Sequence, residues 1–107
     1  MASAGAFASE FGCVLLLKGH RTCITDGQTG YVNGTGNSGM AVGGSGDVLA
    51  GMLGALLCQM PARDAVQTAV WLHGRAGDLC AGRMGEYAMN PTDVIAALPE
   101  VTKPIIR

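Results

Sequence analysis

The sequence predicts an α/β domain in which short strands and a hairpin come first and three helices follow. Three observations carry this. Over the first third, short apolar stretches at Phe11–Leu17, Cys23–Thr25 and Tyr31–Asn33 alternate with polar turns, and short runs bounded by turn residues read as strands. Two glycine-rich segments, 34–39 and 43–46, then interrupt the chain. From Val48 onward apolar residues recur at helical spacing.

Residues 1–10 are alanine-rich and read as the tail of a helix, with an abrupt start. Phe11–Leu17 is expected to form a buried strand, and Lys18-Gly19-His20-Arg21-Thr22 a polar turn. Cys23–Thr25 is the next strand, Asp26-Gly27 a hairpin signal, and Tyr31–Asn33 the returning strand. Val48–Met60 is a helix apolar on nearly all faces, in which Gly51 and Gly54 cost helix propensity and are expected to allow a neighbour to pack closely. Pro61 suits the first position of the next helix. That helix carries a buried stripe through Ala65, Val66, Ala69, Val70, His73, Ala76, Gly77 and Cys80, and Gly82 and Gly85 end it. Asn90-Pro91-Thr92-Asp93 is a helix start with a cap, a proline at N1 and an acid at N3. Pro99 is expected to stop this last helix after Leu98.

Composition narrows the function. The 107 residues suffice for one small domain, 1–107, with a core of its own. Hydrophobic residues make up 49% and charged residues 14%, a balance that suits a surface covered on several sides by partner chains or further sequence. A net charge of −1 without a basic run gives nucleic-acid binding no electrostatic support. The longest apolar run, Val48–Cys58, is too short to span a bilayer, so no membrane role is expected. The four cysteines, at 13, 23, 58 and 80, show neither C-x-x-C nor zinc-ligand spacing. Free thiols in a reducing cytosol account for them, and a cytoplasmic location is expected.

The chemistry centres on Gly43-Gly44-Ser45-Gly46-Asp47. Three glycines in four positions let the backbone come close to a ligand. The segment opens into a helix whose first turn has unpaired amides and the positive end of the dipole, which makes an anion site. Asp47 adds a carboxylate to that turn, as candidate base or as a simple first-turn acid. Gly34-Thr35-Gly36-Asn37-Ser38-Gly39 spells G-x-G-x-x-G, but no helix opens at Gly39 and no acid follows about 20 residues on, so a dinucleotide turn is rejected. There is no G-K-[ST] for a Walker A loop. Lys18, ending a strand before a glycine, can reach a phosphate or a purine edge. His20 and Arg21 divide between ligand contact and loop polarity. Asn37 and Ser38 serve either as turn residues or as donors. His73 reads as a hydrogen-bonded core histidine, and Asp78 as structural.

Four motifs in register carry a resemblance: K-G-H-R-T at 18–22, G-N-S-G-M-A at 36–41, G-G-S-G-D-V-L-A-G at 43–51 and H-G-x-A-G-D at 73–78. With the terminal N-P-T-D-V, they resemble the C-terminal part of the ADP/ATP-dependent NAD(P)H-hydrate dehydratases of the ribokinase-like superfamily, over nearly the whole chain. Ser38 departs from the proline of many members, which removes stiffness but no chemistry. The family domain is well over twice as long, so the chain is expected to be the nucleotide-binding and catalytic C-terminal portion of a ribokinase-like α/β/α domain.

The resemblance implies repair of hydrated nicotinamide cofactors. The 6-hydroxyl is phosphorylated by ADP or ATP, and phosphate then leaves to restore NADH or NADPH. It assigns Asp47 as the base that meets the substrate hydroxyl, and the amides of Gly43, Gly44, Ser45 and Gly46 to the transferred phosphoryl group. Lys18, Gly19, His20, Arg21 and Thr22, with Asn37, Gly39 and Met40, would hold the nucleotide. Mg²⁺ would ride on phosphate oxygens, because the chain has no carboxylate cage. A homo-oligomer, often a tetramer, is implied as well. Two other functions stay open: a ribokinase-like small-molecule kinase, and an inactive fragment that binds nucleotide or serves oligomerisation.

Overall fold

The computed structural model describes residues 2–18 and 21–103. The order is α1 (Ala2–Phe11), β1 (Leu15–Leu17), β2 (Cys23–Thr25), β3 (Gly30–Val32), a 3₁₀ turn (Ser38–Met40), α2 (Ser45–Leu57), α3 (Ala62–Met84) and α4 (Pro91–Thr102). The strands form one antiparallel sheet in the order β1-β2-β3, with Leu16 opposite Ile24 and Ile24 opposite Tyr31. The α/β class, the hairpin and the three closing helices are as expected from the sequence.

The hairpin turn is built by Asp26, whose Oδ1 accepts the amides of Gln28 at 2.9 Å and Thr29 at 2.8 Å. This is the local bonding that makes aspartate a turn residue. Arg63, in the first turn of α3, reaches back to Asp26 Oδ2 at 3.7 Å and to the Thr29 hydroxyl. The ion pair is partly solvated, so it orients the hairpin more than it stabilises the fold.

Helix α3 is the axis of the molecule. On one side Ile24, Leu49, Leu56, Val66 and Val70 join the sheet, α2 and the first half of α3 in one apolar cluster. On the other, Leu72, Ala76 and Cys80 meet Met89 and α4's Val94, Ala97 and Val101. Ile24 and Leu72 are the largest fully enclosed side chains. The four cysteines are free thiols.

Several expectations are corrected. Phe11 ends α1 rather than opening a strand, and Gly12 follows it at φ 61°, a left-handed conformation that terminates a helix. The strand beyond is only three residues long and half-buried, with Leu17 exposed. β3 starts one residue earlier than predicted, at Gly30. Helix α2 begins at Ser45 rather than Val48 and ends at Leu57, and Pro61 is the N-cap of α3 rather than its first residue. Gly82 lies inside α3, and Gly85 alone caps it. Pro99 sits inside α4, which runs on to Thr102. A mid-helix proline costs about 3 kcal/mol, but Val101 and Ala97 are buried against α3. Ile95, whose carbonyl loses its partner to Pro99, is on the exposed face. Packing therefore outweighs the break.

Gly51 and Gly54 have no neighbour near the position of a β-carbon among the described residues, so they admit no close packing there. At Gly74, by contrast, a β-carbon would lie 2.7 Å from the Thr35 carbonyl carbon and 2.9 Å from the Gly36 nitrogen. Alanine at Gly51 or Gly54 should therefore stabilise the chain by about 0.5–1 kcal/mol each. Gly74→Ala should destabilise it by about 1–3 kcal/mol. Urea denaturation of the three variants checks both signs, and a destabilising Gly51→Ala would contradict the open face of α2.

Candidate functional site

A cavity of about 720 Å³ opens between the end of β1, the loop 33–42, the start of α2 and the middle of α3. Four elements build it. Lys18, just past β1, brings its ammonium over Gly46, 3.4 Å from where a β-carbon there would sit. The first turn of α2 contributes Ser45 and Gly46. The N-cap of this helix is Gly44 in the left-handed region at φ 95°, a conformation open to glycine that aims the chain into the helix. No side chain caps this end, so the amides of the first turn are left for an anion.

The loop is the third element, and its shape is held from outside the cavity. Asp78 on α3 accepts the Gly36 amide on Oδ2 and Asn37 Nδ2 on Oδ1, both at 3.0 Å. Asn37 Oδ1 in turn accepts the Gly39 amide at 3.0 Å. Beyond α3, Glu86 Oε1 accepts Ser38 Oγ at 2.6 Å and the Gly39 amide at 3.2 Å. The Thr35 hydroxyl donates to the Trp71 carbonyl at 2.9 Å, and Asn33 Nδ2 donates to Thr35 Oγ1 at 2.9 Å. The helix can accept the loop so closely because Gly74 and Gly77 carry no side chain beneath Thr35 and Met40.

His73 is the fourth element. It is 7% exposed, lies in the cavity wall, and its Nε2 is buried without a hydrogen-bond partner. Burial pushes the imidazole below its ordinary pKa. The nearby Lys18 ammonium adds to this, and a backbone contact with Ser45 opposes it. Core burial of His73 is as expected from its stripe, but the hydrogen bonding expected of a core histidine is missing at Nε2.

Of the predicted site residues, Lys18, Thr22, Asn37, Met40, Ser45 and Gly46 line the cavity together. Gly39 is buried behind the lining, where a β-carbon would lie 2.6 Å from the Glu86 carbonyl oxygen. Arg21, Gly43 and Gly44 stand outside the lining, and Gly19 and His20 lie outside the described residues. Asp47 is exposed in the first turn of α2, one residue past Gly46, and stands outside the lining. Sequence reasoning missed Asn33, Thr35 and Gly74. The Y-V-N strand end and the G-x-G-x-x-G spelling were the signals available.

Among the described residues, Lys18 and His73 are the ionisable side chains of the lining, and no carboxylate lines it. With the open start of α2 they give the cavity positive charge and free donors, the chemistry that suits an anion. Among the described residues no group of three or more His, Cys, Asp or Glu is arranged to hold a metal ion, and no helix is long and apolar enough to cross a membrane.

The clamp and the wall give stability opposite-signed ionisations to depend on. Hydrogen bonds from Ser38 and then from the Gly39 amide hold Glu86 below its ordinary 4.5, and the Thr29 and Gln28 amides do the same for Asp26. Their contribution is present above pH 4.5 and is lost as pH falls through the folded-state values. For His73, the unfolded chain takes up a proton below about 6.5 that the folded chain refuses, so stability declines from there downward. Thermal melts from pH 8 to 3 should show both declines. His73→Gln should remove the upper one, and Glu86→Gln should shrink the lower. An unchanged profile in Glu86→Gln would contradict the clamp.

The pattern of the NAD(P)H-hydrate dehydratase family matches residues 1–100. The chain is 48% identical over 87 residues, 81% of its length, to the bifunctional NAD(P)H-hydrate repair enzyme Nnr of Archaeoglobus fulgidus. It is 48% identical over 71 residues, 64% of its length, to the ADP-dependent (S)-NAD(P)H-hydrate dehydratase of Neisseria meningitidis. It spans 18% and 24% of those two relatives' lengths. Among solved structures, an ADP/ATP-dependent NAD(P)H-hydrate dehydratase from Bacillus subtilis, co-crystallised with ATP and Mg²⁺, superposes with a TM-score of 0.87 at 34% identity, over 95% of this chain and 38% of that one. A ribokinase-like superfamily protein from Enterococcus faecalis superposes with the same score at 36% identity, over 97% of this chain and 36% of that one. The fold is therefore ribokinase-like, and the chain belongs to the NAD(P)H-hydrate dehydratase family.

Proposed function

We propose that the chain supplies the nucleotide site and catalytic carboxylate for ADP- or ATP-dependent dehydration of NADHX and NADPHX, the hydrated forms of NADH and NADPH. The observation that carries this is the carboxylate-free cavity in which the Lys18 ammonium lies over Gly46 at the open N-terminus of α2. Family membership supplies the reaction class, and the solved Bacillus subtilis relative was crystallised with ATP and Mg²⁺.

The nucleotide's phosphates fit between Lys18 and the first-turn amides of α2, where charge on the transferred phosphoryl group meets aligned donors. The Asn37–Met40 loop forms the opposite wall. Mg²⁺ would be held by phosphate oxygens and water, since no protein cage exists among the described residues. Asp47, exposed in the first turn of α2 next to the lining residue Gly46, is open to a substrate approaching from solvent. It accepts the proton of the nicotinamide 6-hydroxyl as that oxygen attacks phosphorus. AMP or ADP is released by that transfer; phosphate then leaves C6 while the neighbouring ring carbon gives up a proton to water, which re-forms the ring double bond of the reduced nicotinamide. A cytoplasmic location is part of the proposal, supported by the four free thiols.

A homo-oligomer, with a tetramer as the specific form, is part of the proposal. Its support is the exposed apolar set that includes Phe7, Phe11, Leu17, Val32 and Leu57. Light scattering that reports a monomer at micromolar concentration would remove this part.

Two measurements test the reaction itself. Titration of the chain should detect ADP or ATP and not NAD, and NAD binding without ADP binding would overturn the assignment. Asp47→Asn should lower the ADP-dependent recovery of NADH absorbance from its hydrate by roughly 10²–10⁴-fold. Nucleotide affinity should hold, because the helix amides remain. A variant that turns over at the unsubstituted rate would make Asp47 a first-turn acid only. Phosphoryl transfer to a thiazole or pyrimidine alcohol, without dehydration, would favour a small-molecule kinase.

A further inference from the structure

We propose that His73 is a further binding residue of this cavity, engaging a phosphate-bearing ligand as an imidazolium after taking one proton from solvent. The proposal rests on the nucleotide reading above and adds a residue and a proton to it.

Three observations meet at this ring. It lies in the cavity wall with 7% exposure, so what fills the cavity comes against it. Its Nε2 has no hydrogen-bond partner among the described residues and no solvent-exposed surface. A buried ring nitrogen left unsatisfied is a standing cost, and because the residue is part of the cavity wall, a small rotation of its ring toward a bound phosphate would relieve that cost. Finally, the surroundings are cationic or dipolar positive: Lys18 from the end of β1 is the charged group that bears on the ring, and α2 presents its N-terminus. The groups lining the cavity from the 33–42 loop are uncharged.

In the empty cavity these neighbours and burial keep the ring neutral. A phosphate beside Lys18 reverses the field. The imidazolium then has two donors and two acceptors at hand, the Ser45 carbonyl and a phosphate oxygen. The bound complex therefore holds one proton more than the free protein and free ligand.

Calorimetric titration with ADP and Mg²⁺, in buffers of different ionisation enthalpy at pH 7.5, counts that proton. The chain should take up as much as one proton more per ADP than His73→Gln, and its ADP affinity should rise up to tenfold per unit fall in pH where the variant's rises less. With two histidines in the sequence, the imidazole nitrogen signals of the unsubstituted chain report the same event without a variant: one ring should become an imidazolium as ADP saturates. Binding of ADP with equal proton uptake in both proteins, or with the His73 ring signals unmoved, overturns the proposal while leaving the nucleotide site standing. Failure of ADP to shift the amides of the 36–46 loop overturns the nucleotide site, and this proposal with it.

Discussion

The site depends on the absence of two side chains from one face of α3. Gly74 and Gly77 leave a trough into which the backbone of Thr35–Gly36 and the side chain of Met40 settle. A methyl group at Gly74 would occupy the space of the loop backbone itself, so the fit has no slack. With the loop seated, the Asp78 and Glu86 carboxylates on and beyond the same helix reach its amides and polar side chains. The cavity is what remains between that seated loop and the start of α2.

The division of labour among the carboxylates follows. Asp78 and Glu86 are turned away from the cavity and used as acceptors for loop donors. Asp26 is used by the hairpin, and Asp93 by the cap of α4, where its Oδ2 accepts the Asn90 amide at 2.9 Å. Among the described residues, the ionisable side chains that line the cavity are then a lysine and a histidine, set among uncharged residues and the start of α2. An anion entering it meets no carboxylate among the described lining residues.

The features legible in the sequence are those whose physics is local. The Asp26-Gly27 turn, the Asn90-Pro91-Thr92-Asp93 cap with Asn90 Oδ1 accepting the Asp93 amide at 3.1 Å, and the Cys23–Thr25 strand each involve residues within a few positions of one another. The open helix end at Gly44–Gly46 was legible for the same reason. Pro99 misled because its local preference is overridden by Val101 and Ala97 packing on α3, partners twenty residues away. Gly51 and Gly54 misled in the opposite sense: glycine in an apolar helix suggests a close neighbour, and whether one exists is a tertiary fact. His73 was recognisable as buried from its stripe. That its Nε2 finds no partner among the described residues depends on what other elements bring to the ring, and no spacing in the chain records that.

The left-handed turn at Gly44 also touches the start of α4. A β-carbon there would stand 3.2 Å from Pro91 Cγ, so the glycine turn rests on the first residue of that helix. Helix α4 is itself seated through Val94, Ala97 and Val101. The starts of α2 and α4 thus share one point of contact, and a side chain larger than hydrogen at position 44 would press on both helix starts at once.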